Sequence, residues 1–138
     1  MQNINPESAT KVVELLSAVS RGAGTVNGTA GDFKGCGDIL VVLMAGTNQA
    51  TGTHDVKLQD SADNSTFADI TNAAFVQVTT SNDEQSFKGI LRKGTYRRHV
   101  RAMSVVATAA CVAGVTAVAM SPQDSALADG GSAYAFKV

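Results

Sequence analysis

The sequence predicts an all-β fold: one antiparallel β-sandwich, jelly-roll-like, with extended segments at both ends. Three observations carry this. Aromatics make up only 5% of the chain and Trp is absent, so the core has to be built from Val, Ala, Leu and Ile, of which the β-branched members favour strands. Thirteen glycines punctuate the chain and mark turns between short elements. Between the turns, stretches alternate apolar and polar residues with the period of two that belongs to strands. At 138 residues, one domain of this kind buries about two-thirds of its unfolded surface.

Residues 1–10 are polar and read as an arm. Residues 11–20 admit two readings. Asn5 and Pro6 can open a helix in which Ala9, Val12, Val13, Leu16 and Val19 keep helical spacing; the alternative is a first edge strand, which the family resemblance given below favours. Residues 21–31, RGAGTVNGTAG, hold a strand fragment at Thr25 and Val26 and a turn at Asn27-Gly28. Residues 32–37 turn again. Six apolar residues in succession, from Ile39 to Met44, predict a strand buried on both faces. Residues 46–53, GTNQATGT, form a loop with an exposed tip.

The stretch 54–71, HDVKLQDSADNSTFADIT, predicts a hairpin. Val56 and Leu58 point one way while Asp55, Lys57 and Gln59 point the other. A polar loop over 60–66 follows, and Phe67 and Ile70 return to apolar partners. Residues 75–80 and 85–91 read as strands around an acidic turn at 81–84. Lys93-Gly94 turns into a strand over 96–106, with Val100 and Ala102 inward and His99, Arg101 and Arg97 outward. The last strand covers 112–120, after a small-residue turn at 108–110. Pro122 ends the regular pattern. The chain therefore divides into an arm (1–10), a sandwich (11–121) and an extended tail (122–138).

Composition bounds the function. A formal net charge of −1 supplies no global attraction for nucleic acid or an anionic membrane. Cys36 and Cys111 are too few for a disulfide framework and sit in no metal-like cluster, so both are expected reduced and mostly buried. The N-terminus lacks the basic region of a secretory signal. Residues 102–123 contain no charge and follow Arg97, Arg98 and Arg101, which invites a membrane-spanning reading. Their Ala, Val, Thr, Ser and Gly content is β-prone and weakly hydrophobic, and two strands are expected instead.

No chemistry-bearing constellation stands out, and neither catalytic, cofactor-binding nor metal-binding residues are expected. Asp60, Asp63 and Asp69 match no calcium-loop spacing and read as turn formers. Six of the eleven Lys and Arg residues lie between Lys88 and Arg101, but only Tyr96 could stack a base beside them. A solvated strand face or a contact with an acidic partner is the reading adopted, with Arg97 and Arg101 as candidate partner contacts. His54 and His99 are isolated in sequence. Gly22, Gly24, Gly35 and Gly37 lack the strand–glycine–helix context of a phosphate loop. In the tail, Tyr134, Phe136 and Val138 alternate; they either fold back on their own sheet or add to the edge of a neighbouring subunit.

The segments DFKGCGDILVVLMAG (32–46) and VKLQDSADNSTFADI (56–70), with the pentad RHVRA (98–102), resemble small all-β virion proteins of tailed phages. Where the relatives commonly carry an aromatic, this chain has His99, which bears on local packing. The resemblance implies a capsid decoration (cement) protein, non-enzymatic, on the outer capsid surface of the virion. Its implied partners are the major capsid protein and two further copies of itself, as a homotrimer at local threefold positions, with no nucleic acid and no membrane. The alternative is a tail or head-fibre accessory binding a host-surface glycan through loops 46–53 and 60–66.

Overall fold

The computed structural model describes residues 10–120. These form nine strands: β1 (Thr10–Arg21), β2 (Gly24–Asn27), β3 (Gly31–Asp32), β4 (Ile39–Asn48), β5 (Thr53–Ser61), β6 (Ala68–Ala74), β7 (Gln85–Leu91), β8 (His99–Ala107) and β9 (Cys111–Met120). They build two sheets. Sheet A runs β1-β9-β4-β7; sheet B runs β2-β8-β5-β6, with β3 also on β8. The first strand pairs with the last and the second with the next to last, all antiparallel. A chain folded double on itself in this way is a jelly roll. The expected sandwich is therefore what forms, and residues 11–20 are the edge strand rather than a helix.

The core lies between the sheets. Val13, Leu16, Ile39, Val41, Leu43, Val115 and Ala117 face it from sheet A; Val56, Leu58, Val100 and Ala102 face it from sheet B. Small inward residues on β9 let the two layers approach, and Phe33 plugs the end of the core with 1% exposure. The uncharged stretch that invited a membrane reading is the β8–β9 hairpin, turning through Thr108 at φ 74°. Among the described residues no helix is long and apolar enough to cross a membrane.

The two long sides of the sandwich differ. On one, β1 and the segment after β2 are tied together: Thr29 N–H donates to the Leu15 carbonyl and Gly28 N–H to the Ala102 carbonyl. The approach is so close that a Cβ on Gly28 would stand 1.8 Å from the Leu15 carbonyl oxygen. β1 bulges here, between Glu14 and Leu16 and again between Leu16 and Val19. The Arg21 guanidinium stitches the bulge by donating to the carbonyls of Ser17, Val19 and Ala113. On the other side, the edges of β6 and β7 stand apart and leave a cleft of about 440 Å³ lined by Ile70, Phe75, Phe87 and Leu91.

Three expectations are corrected. Ile39–Met44 is buried on one face only: Leu40 and Val42 are half-buried and Met44 is exposed, because among the described residues no further layer packs on the outside of β4. Residues 75–80 form no strand beyond a single bridge between Val78 and His54; the partner of β5 is β6. Strand β4 also continues to Asn48, so the loop shrinks to 49–52 around Thr51 at φ 65°. The expected arm and tail lie outside the described residues, except that Thr10 already belongs to β1.

Gly28→Ala should destabilise the fold by about 3 kcal/mol, since backbone must move to admit the methyl group. Gly22→Ala, where a Cβ meets nothing within 4 Å, should change stability by less than about 0.5 kcal/mol. Chemical denaturation midpoints of the two variants check the contrast.

Candidate functional site

The basic run 88–101 does not form a free cationic patch. Arg97 donates from Nε and Nη2 to the Asp60 carboxylate at 3.0 and 2.8 Å, and its backbone N–H reaches the other carboxylate oxygen. Arg98 forks onto Asp32, at 2.9 and 2.7 Å, and that guanidinium holds the Asp32 carboxyl well below the usual carboxylate range. Arg92 meets Asp38. Arg101 donates twice to the Gln59 amide oxygen and lies over the Phe67 ring, 4.0 Å from its centroid. The strand register explains this, since Gln59 stands opposite Arg101 and Asp60 opposite Val100. Arg101 thus sits on the outside of sheet B with Gln59, whereas Arg97 grips Asp60, which shares the inward phase of Val100, at the end of the sandwich; Tyr134, Phe136 and Val138 lie outside the described residues.

The carboxylate loop is turn chemistry. Asp63 accepts from Ser61 Oγ and from the backbone N–H groups of Ser65 and Thr66. Those bonds, the Thr66 amide first, hold its pKa down at about 2. Asp69 accepts from Lys57 and Gln59. Among the described residues no group of three or more potential metal ligands comes together.

One polar pair escaped sequence reasoning. His54 Nε2 and Ser104 Oγ share a hydrogen bond inside the sandwich, with 1% and 0% exposure. Nearby, Asn48 Nδ2 donates to the carbonyls of Gly52 and Val78, and Val78 also pairs with the His54 backbone. The signal was present as parity: His54 shares the phase of Val56 and Leu58, and Ser104 that of Val100 and Ala102. The pair is sealed from solvent and, among the described residues, the other ring nitrogen, Nδ1, has no hydrogen-bond partner to orient it, which is not the arrangement of a nucleophile–base unit. Both cysteines are free, Cys111 buried and Cys36 half-buried, and burial pushes both thiols up.

Among the described residues, the feature left without an internal partner is the outer face of sheet A. Register places Val12, Val118, Leu40 and Ile90 side by side in one row across all four strands. Beside it run Val42 and Met44, with Val112 and Met120 at the two ends of β9. Val12, Met44 and Ile90 are 67%, 58% and 52% exposed. Soluble domains seldom leave so broad an apolar surface uncovered unless something docks on it. Sheet B turns a more polar face outward, where Lys57 pairs with Asp69, Asp55 accepts from Gln77 and Arg101 donates to Gln59.

Comparisons with known proteins agree on architecture. No protein-family model matches the sequence, and no curated protein matches it. Among solved structures, the chain is similar to XepA, an exported protein of PBSX, with a TM-score of 0.57 and 13% identity over 88% of this chain and 39% of that one. It is similar also to VP2 of infectious bursal disease virus in the subviral particle, at a TM-score of 0.55 and 11% identity over 83% of this chain and 33% of VP2. A structure of the Gx strain of that virus matches at 0.51 and 6% identity, over 84% of this chain and 32% of that one. The chain thus spans two-fifths or less of each. At such identities the likeness is one of fold.

The buried histidine makes the sandwich sensitive to mild acid. Burial, and then the Arg21 charge, push the His54 pKa below its ordinary value, against a smaller opposing effect of Asp55. Unfolding frees the ring to take up a proton below about pH 6.5. Stability should therefore fall as pH drops from about 6.5 toward the folded pKa. Melting temperatures measured between about pH 7 and about pH 5 should show this decline, and His54→Gln should flatten it. An unchanged slope in the variant would assign the effect to other groups.

Proposed function

We propose that this chain is a structural subunit of a phage virion that attaches to the outer surface of the capsid as a decoration (cement) protein. The observation that carries the reading is the exposed apolar row across sheet A, on a sandwich whose Arg97, Arg98 and Arg101 are each held by an acceptor of their own chain. A surface of that kind is built to meet protein. The motifs shared with small phage virion proteins, and folds like those of a phage exported protein and a viral capsid protein, support the virion setting. The mechanism is geometric: a small rigid domain bridges neighbouring shell subunits and buries surface that exists only in the assembled lattice. Breaking the shell then requires breaking those added contacts as well. The terminal segments are the second means of attachment, with Tyr134 and Phe136 buried at a strand edge of the partner.

Purified protein mixed with capsids lacking it should sediment with them and raise their melting temperature. Met44→Glu should weaken retention by about tenfold or more, because a carboxylate trapped in a dry contact costs at least about 1.4 kcal/mol. Removing residues 132–138 should weaken attachment while leaving the far-ultraviolet spectrum of the sandwich intact. Intact protein that stays in the supernatant, with capsids that melt unchanged, overturns the reading. Binding to host cells or a glycan instead would move the protein to the fibre class.

A further inference from the structure

Resting on the reading of sheet A as a docking surface, we infer that its occupant is a second copy of this chain, packed face to face about a twofold axis parallel to the strands. The register makes the face self-complementary under that operation. Such an axis, placed between β9 and β4, sets β1 against β7 of the second copy and β9 against its β4. Row then meets row. In the apolar row, Val12 comes opposite Ile90 of the second copy, and Val118 opposite its Leu40.

The neighbouring row decides the direction of the axis. It reads Glu14, Thr116, Val42, Lys88 across the sheet, with an acid on one edge strand and a base on the other. The parallel axis sets Glu14 against Lys88 of the second copy, twice over. An axis perpendicular to the strands would set Glu14 against Glu14 and Lys88 against Lys88, which like-charge repulsion penalises. In the third row Met44 is paired across its own sheet with Gly114, so the same axis brings Met44 toward Ala18 of the second copy, which covers the outward side of Gly114. Aligned sheets cross at about 30°, a shift that side chains as long as Glu and Lys can span.

The size of the face sets the strength. Four strands at about 4.8 Å spacing, over five outward positions of β9, cover roughly 500 Å² per copy. Roughly 1,000 Å² in total is the lower end for a specific interface, so the pair is weak and concentration-dependent in free solution. A contact of that strength forms fully when a lattice holds the copies together. The resemblance had implied a threefold ring; the pattern on this face is isologous and closes as a pair.

Sedimentation velocity over a concentration series reads the equilibrium directly. Wild-type protein should pass from monomer to dimer, and Glu14→Lys and Lys88→Glu should each weaken the dimer by about tenfold or more. The double variant E14K/K88E should restore it, because the charges then meet with their signs exchanged. Ile90→Asp should abolish the dimer in every background, and circular dichroism should confirm that these exposed substitutions leave the fold intact. A wild-type protein that stays monomeric throughout, or a double variant no better than the singles, overturns the twofold pair. The same samples sedimented with capsids separate the two ideas. Monomeric protein that still binds capsids sinks the pair and spares the virion role; a dimer that obeys the charge rule but ignores capsids supports the pair and sinks that role.

Discussion

The structure depends on β9 lying between β1 and β4. Its inward alanines and Val115 fill the narrow space against sheet B, and its two edges bond the first strand on one side and the fourth on the other. Because β9 ends the described chain, sheet A cannot assemble until those residues are available. The contacts that define the fold are therefore long-range ones, and loop-closure entropy has to be overcome before they return any stability. The same strand presents Val118 and Met120 outward, so the central member of the core is also the central member of the docking face.

Much of the fold was legible because burial here follows simple alternation. The β5–β6 hairpin, β7 and the inward phase of β8 could be read from parity alone, as Val100 and Ala102 against His99 and Arg101 illustrate. The errors arose where one signal has two physical causes. The run Ile39–Met44 carries apolar residues in both phases, which fits double burial or a single buried face with an uncovered back. The second case holds, and nothing within one chain distinguishes them. The strand expected at 75–80 failed because its edge faces the open side of the sandwich, where pairing has no neighbour to continue it. The candidate site was legible only in fragments: Val12, Leu40, Ile90 and Val118 are scattered over 107 positions and become a row only through register.

The two outer faces handle charge in opposite ways. On sheet B, Arg97, Arg98 and Arg101 each spend their donors on an acceptor nearby, so the cluster that looked like a binding patch is internal scaffolding, Arg97 and Arg101 for β5 and Arg98 for β3. Exposed ion pairs of that kind add little stability individually; their effect is to fix side-chain positions and leave few free charges. Sheet A carries few charges, and Glu14 and Lys88 stand at its margins. A molecule arranged in this way has one side suited to water and one suited to protein.

The pairing of Thr10 with Met120 has a consequence for how the molecule can be rewired. Opposed residues on neighbouring antiparallel strands lie about 5 Å apart, so the sandwich receives and releases the chain at a single point. A few residues would join those ends without distorting either sheet. New ends could then be opened at the exposed 49–52 turn, giving a circular permutant with the same layers. Equally, anything fused before β1 or after β9 would be tethered at one corner of sheet A, leaving the surface of sheet B clear.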